Sequence, residues 1–98
     1  MVTRVDFSDE AKIDLLGIND WYEFQKHNLG QEFHNELSIL ISKISSNPLH
    51  YKIISKHYRK ATTQRFPYNI FYKVDDDKII VVAILHQKRH PSIWKKRL

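Results

Sequence analysis

The sequence predicts an α+β domain in the order β-α-α-β-β-β, with a helical hairpin packed on one face of a small antiparallel sheet and a short helical tail at the carboxy terminus. Three observations carry this prediction. Apolar residues recur twice at helical spacing between Ala11 and Ile44, on either side of a very short link. Segments rich in β-branched and aromatic residues follow between His57 and His86. Finally, 98 residues with 42% hydrophobic content support one core and leave no room for a second, so residues 1–98 are read as a single domain.

Val2 to Phe7 alternates apolar and polar residues and is bounded by Ser8, which predicts a short edge strand. Ser8 is an N-cap residue type, and Asp9 and Glu10 place negative charge where the helix dipole favours it. Ala11, Leu15, Ile18 and Tyr22 then form one stripe, widened by Leu16, of a helix running from Asp9 to about His27. Asn28-Leu29-Gly30 supplies residue types that tolerate a left-handed terminus. A second helix has Phe33, Leu37, Leu40, Ile41 and Ile44 as its apolar face and ends at Ser45-Ser46-Asn47-Pro48. So short a connection makes the two helices an antiparallel hairpin.

His57 to Phe66 is polar, basic and rich in Thr, as a strand with one solvated face would be, and Pro67 interrupts it. Tyr68 to Val74 and Lys78 to His86 are stronger strands joined by the turn Asp75-Asp76-Asp77. Alternation sets Tyr68, Ile70, Tyr72 and Val74 on the face under the helices and Asn69, Phe71 and Lys73 on the other. Lys78 to His86 is apolar on both faces and is expected to be the central strand. Pro91 opens the last helical turn.

Charge is divided unevenly. Residues 1–49 hold four Lys/Arg against eight Asp/Glu, and residues 50–98 hold twelve against three. The basic half therefore carries a field that attracts polyanions or acidic protein surfaces. The chain has no cysteine, which excludes disulfides and thiolate metal sites and fits a reducing compartment. Its start has no signal-peptide run, and its longest apolar run, Ile79 to Leu85, is far short of the ~20 residues of a membrane helix. A cytoplasmic protein without membrane association is expected.

The order of elements, with Gly30 and Phe33 opening the second helix, Asn47-Pro48 closing it, Arg65-Phe66-Pro67-Tyr68 entering a strand and His86-Gln87-Lys88-Arg89-His90-Pro91 followed by Trp94, resembles the RelE/ParE superfamily of toxins over nearly the whole chain. The tail points to the ParE branch more than to the RelE branch. The resemblance implies a growth-inhibiting toxin of a type II toxin-antitoxin module, of the kind that stabilises plasmids, neutralised by a cognate antitoxin in a hetero-oligomer. For the ParE branch it implies DNA gyrase as the target; for the RelE branch, ribosome-dependent cleavage of mRNA. No cofactor is implied.

Cleavage of RNA by its own 2′-hydroxyl needs a base, an acid and cations around the phosphate. If the chain is a nuclease, Arg65, His86 and Arg89 are the candidate catalytic residues. The carboxylates of the basic half lie in the Asp75–Asp77 turn, where solvated turn chemistry accounts for them, and the terminal stretch has Trp94 where RelE-type nucleases often have a catalytic Tyr. These features favour an inhibitory surface without catalysis. Its candidate contact residues, for target or antitoxin, are Arg59, Lys60, Arg65, His86, Arg89, Lys95 and Arg97.

Two readings of His86 and Arg89 stay open: contact with a partner or phosphate, or a backbone hydrogen bond for His86 and an ion pair of Arg89 with Glu23 or Glu32. Arg59, Lys60 and Arg65 either protect an edge strand from aggregation or receive an acidic antitoxin segment, or do both. His86 and His90 have a metal-like spacing only on a helix, which Pro91 and the preceding strand exclude, so no metal site is expected. Trp94 is read as folding back onto the sheet, with its cationic neighbours in solvent. A non-toxic module that binds nucleic acid through the same basic face is a further alternative.

Overall fold

The computed structural model describes residues 4–98. Eight elements follow in order: β1 (Arg4–Phe7), α1 (Asp9–Gln25), α2 (Leu29–Ser46), β2 (Lys52–Ser55), β3 (Tyr58–Thr62), β4 (Tyr68–Asp75), β5 (Lys78–His86) and α3 (Pro91–Arg97). The predicted fold class stands, with a fifth strand added. β2 is a four-residue strand, Lys-Ile-Ile-Ser, too short to show a period of its own, and it reverses into β3 through Lys56 at φ 50. The beginning of the first predicted strand, Val2 and Thr3, lies outside the described residues.

The strands run in the spatial order β1-β5-β4-β3-β2. All neighbouring pairs are antiparallel except β1 and β5, which are parallel, so the sheet is mixed at one edge. A parallel pair needs a long crossover, and here everything from α1 to β4 lies between the two strands. β5 has neighbours on both sides, but the middle position belongs to β4. The basic strand β3 is covered by β2 and is not an edge.

Helix α1 begins as its sequence predicts: Ser8 is extended (φ −64, ψ 162), and its hydroxyl accepts the Ala11 amide at 3.1 Å. The turn to α2 is left-handed, as its residue types predict. Asn28 takes the left-handed conformation (φ 69) and its side chain does not cap α2. Glu23 caps it instead, its carboxylate accepting the amides of Asn28 at 3.2 Å and Gly30 at 2.9 Å. Gly30 is required by close approach: a Cβ there would stand 2.6 Å from Asn19 Oδ1 and 2.8 Å from both Asn19 O and Glu23 Cγ.

The hairpin of α1 and α2 buries Ala11, Phe33, Leu37, Leu40 and Ile44 against Ile70, Tyr72, Ile79, Val81 and Ile84. One end of this core is aromatic, with Tyr22, Phe33, Phe66 and Tyr68 packed at centroid separations of 5.0–6.2 Å. Leu16, expected to widen the buried stripe of α1, points outward and is 63% exposed.

A bulge explains how β5 serves two faces. Phe71 pairs with Ala83 and Tyr72 with Val81, which leaves Val82 unpaired. The extra residue reverses the alternation. Ile79 and Val81 before it and Ile84 after it face the hairpin, whereas Ala83 and Leu85 join Phe71 beneath α3 on the other face. There Trp94 stacks on Phe71 at 5.5 Å with its ring tilted by only 24°.

Two predictions follow from this packing. Gly30→Ala is expected to destabilise the fold by about 1–3 kcal/mol in urea unfolding, the usual cost of overpacking, whereas Gly17→Ala, with nothing within 4 Å of its Cβ position, should be neutral or stabilising by up to about 1 kcal/mol. Tyr72 donates its hydroxyl proton to Pro48 O at 2.7 Å. Burial raises its pKa to about 12, against the opposing pull of Arg59. The folded state holds that proton more tightly than the unfolded chain, with its ordinary value of 10.0, so stability is intact below pH 10 and falls as pH rises from there towards 12. Thermal melts across that window should show the fall, and Tyr72→Phe should make it shallower.

Candidate target-contact surface

The cations expected to form one surface are divided among three situations. Arg59 lies on the hairpin side of β3, opposite Tyr72. Its Nη1 donates to Tyr51 O at 2.8 Å and Leu49 O at 3.2 Å, stapling the link between α2 and β2. Arg97 is similarly engaged. Its guanidinium pairs with Asp14, and with Glu10 at 3.4 Å, and only 18% of its side chain is exposed. Both were expected at the contact surface, and both instead hold the fold together, because long-range partners invisible to local spacing reach them.

Asp14 has a second task. β1 pairs with β5 only as far as Val81, beyond which the outer edge of β5 has no strand beside it. Ser8 N continues the ladder to Val81 O at 2.9 Å, and Asp14 Oδ2 accepts the Ile84 amide at 3.0 Å. A carboxylate of α1 thus substitutes for the missing strand and at the same time ties down α3 through Arg97.

Arg65 and His86 occupy the hairpin side. Arg65 sits in the loop between β3 and β4, paired with Glu32 at 2.9 Å and lying over the Phe66 ring at 4.8 Å. The same loop is held by Glu36, whose carboxylate accepts the amides of Gln64 at 2.6 Å and Arg65 at 2.8 Å. His86 ends β5 with its ring edge-on to Tyr68 at 5.3 Å. Its Nδ1 accepts the Lys88 amide at 3.0 Å, so the neutral ring carries its proton on Nε2. Arg89 is exposed at the rim of a cleft of about 260 Å³ lined also by His86, Trp21, Asp14 and Tyr68. Neither Glu23 nor Glu32 pairs with Arg89: Glu23 caps α2 and Glu32 holds Arg65.

Lys60 and Lys95 stand on the opposite side of the sheet. Lys60 is directly across from Phe71 and, on the other strand, from Lys52. Tyr58 lies across from Lys73 on that same face. Cations placed directly opposite each other across a ladder disfavour pairing, yet Lys52 and Lys60 are so placed, and the described residues include no ion pair to either. The result is a positive patch of Lys52, Lys60 and Lys73 around one aromatic ring, continued by Lys95, whose ammonium lies 5.7 Å from the Trp94 ring. Sequence reasoning missed Lys52 because β2 is too short to recognise, and it set Lys73 on this face without seeing what it joined.

Burial pushes Tyr68 well above the ordinary phenol range, with Tyr22 adding to the effect. Neither it nor Tyr72 is suited to give up a proton at neutral pH. Among the described residues no three His, Asp or Glu side chains are grouped to hold a metal ion, and no helix is long and apolar enough to cross a membrane.

The arrangement of a helical hairpin on one face of a five-stranded sheet recurs in solved structures of toxin-antitoxin systems. The chain superposes on a protein of the chromosomal ParDE system of P. aeruginosa with a TM-score of 0.76 at 15% identity, covering 87% of this chain and 96% of that one. A mutant E. coli RelE toxin in the free state gives 0.70 at 13% identity over 99% and 95%. The same toxin in complex with a peptide of its antitoxin RelB gives 0.66 at 16% identity over 100% and 96%. No curated protein matches the sequence. The family model described as the ParE toxin of the type II toxin-antitoxin system parDE matches residues 5–91, and the chain belongs to that family, within the RelE/ParE superfamily.

These placements separate structural cations from surface ones. Arg97→Ala is expected to loosen α3, raising amide exchange at Ile84 and in α3 and costing about 3–5 kcal/mol if the Asp14 charge stays uncompensated. Lys60→Ala, on the open face, should leave the melting temperature within about 2 °C of the parent.

Proposed function

We propose that this toxin acts by inhibiting DNA gyrase, without catalytic chemistry of its own, through the cationic sheet face around Lys60, and that a cognate antitoxin neutralises it. One observation carries the choice of inhibition over cleavage: the lysine cluster lies across the sheet from His86, which shares its cleft with a single cation, Arg89. His86, the candidate acid or base, faces the hairpin side with its Nδ1 already committed. Arg65 is paired with Glu32 on that side, and the open cluster of Lys52, Lys60 and Lys73 lies across the sheet.

An acid or base must lie within about 3 Å of the proton it moves, directly or through one water. The thickness of the sheet stands between this histidine and the lysine cluster. A surface that binds without reacting has no such requirement. It needs only charge and shape, and the lysines with Tyr58 supply both for a polyanionic or acidic target. The family to which the chain belongs and the solved ParDE and RelE relatives, one of them holding an antitoxin peptide, support an antitoxin as partner.

The same lysines and aromatic rings also suit single-stranded RNA, and the fold is shared with RelE, so the assay must distinguish the two. Added to purified gyrase and DNA, the protein is expected to block supercoiling or trap cleaved DNA. The double variant Lys52→Glu, Lys60→Glu should weaken inhibition at least about tenfold, the effect of losing some 1.4 kcal/mol of contact. Normal supercoiling at saturating protein, together with cuts inside codons of translated mRNA after induction, would reassign the surface to ribosome-bound message. Absence of growth arrest on induction would favour a non-toxic module that binds nucleic acid.

A further inference from the structure

We propose that the cleft between α1 and the carboxy-terminal end of β5 is a pocket for a single acidic side chain of the antitoxin, held by Arg89 and His86 and admitted by Gly17. The choice of partner rests on the reading of this chain as a toxin neutralised by an antitoxin. The pocket for a carboxylate does not.

Gly17 sits in the middle of α1, where glycine is the least favourable residue after proline. Its φ is not positive, and a Cβ there would meet nothing within 4 Å, so neither backbone conformation nor packing calls for it. Gly30, by contrast, is required by the close approach of Asn19 and Glu23. What the missing side chain at position 17 does is leave open the wall of a cleft of about 260 Å³, which it lines together with Ile13, Trp21, Ile84, His86 and Arg89. A helix that gives up propensity where nothing crowds it keeps that space for something from outside.

The side chains around that space are donors. Asp14, the carboxylate of the cleft, is already spent on the Ile84 amide at 3.0 Å and on Arg97, and Tyr68 is engaged with Tyr22. His86 accepts the Lys88 amide on Nδ1, which leaves its Nε2–H to donate. The indole of Trp21 can only donate, and the guanidinium of Arg89 has no hydrogen bond or ion pair among the described residues. Three donors, one of them a permanent cation, with no free side-chain acceptor beside them, call for an anion. Ile13, Ile18, Ile84 and Leu85 make the rest of the lining apolar, so the anion is carried on an apolar stem.

The surroundings select a carboxylate over a phosphate chain. Helix α1 carries Asp9, Glu10, Asp14, Asp20 and Glu23 against Lys12, and Arg97 neutralises only Glu10 and Asp14. Asp20 stands one turn from Gly17, inside the ~8 Å over which charges act at physiological salt, so nucleic acid laid across the cleft would be repelled. One carboxylate on an otherwise uncharged apolar segment escapes that repulsion and still reaches Arg89. At about 260 Å³ the cleft is smaller than the usual small-molecule site of ~300 Å³ and above, which suits a side chain better than a cofactor. The family to which the chain belongs pairs a toxin with an antitoxin, and the cleft lies across the sheet from the lysine cluster, apart from the surface assigned to the target.

Titration of the isolated, isotope-labelled chain with 3-phenylpropionate, a carboxylate on an apolar stem, followed by amide chemical shifts, is the test. The neutral 3-phenylpropanamide and the dianion phenyl phosphate are the comparisons. The carboxylate is expected to shift the Gly17 amide, the Trp21 indole and the amides from Ile84 to Arg89, with a roughly millimolar dissociation constant at least fivefold lower than that of either comparison. Arg89→Gln should weaken it at least fivefold. Gly17→Leu should abolish it while melting at or above the temperature of the parent, because leucine favours the helix, and Lys60→Ala should leave it unchanged. No shift at saturating fragment, equal binding of acid and amide, tighter binding of phenyl phosphate, or shifts centred on the lysine face would each overturn the pocket. The antitoxin that copurifies with the parent chain should bind Gly17→Leu at least tenfold more weakly, and an unchanged affinity would overturn the choice of occupant. Both measurements are made without gyrase, so failure of the gyrase reading is scored separately.

Discussion

Burial of both faces of β5 is the constraint on which the rest of this structure depends. Seven consecutive apolar residues, Ile79 to Leu85, cannot be left in water on either side of a sheet, and a domain of this size has few elements with which to cover them. The helical hairpin takes one face. The other has only a seven-residue terminal helix, α3, and the Val82 bulge matches the strand to that unequal cover by sending Ala83 and Leu85 towards Trp94 and Leu98 while Ile84 stays with the hairpin.

The same constraint places the charged groups. β1 stops at Phe7, opposite Val81, and the exposed edge of β5 beyond that point needs a hydrogen-bond partner that is not a strand. Asp14 supplies it, and a carboxylate in such a place needs a cation, which Arg97 brings from the end of α3. Electrostatics here follow packing. Two of the most obvious cations in the basic half are consumed in this way, Arg97 at the seam between α1 and α3 and Arg59 at the link into β2. Cations outside these ion pairs remain on both sides of the sheet, Lys52, Lys60 and Lys73 around Tyr58 on one and Arg89 at its cleft on the other.

The sequence by itself determined everything that depends on neighbours a few residues apart: the Ser8 cap, the extents of α1 and α2 to within two residues, the left-handed turn at Asn28, the β4–β5 hairpin about its aspartates, the division of Tyr68, Ile70 and Tyr72 from Phe71, and the family resemblance carried by the tail. It could not show β2, because four residues are too few for a period to be seen. It misplaced Leu16, because a helix with apolar residues on two sides has two candidate inner faces and periodicity does not say which one meets the sheet. Only the tertiary structure decided which cations are free. That question turns on partners as distant as Asp14 from Arg97 and Glu32 from Arg65, and on which side of a sheet a side chain emerges, which a single bulge at Val82 is enough to reverse.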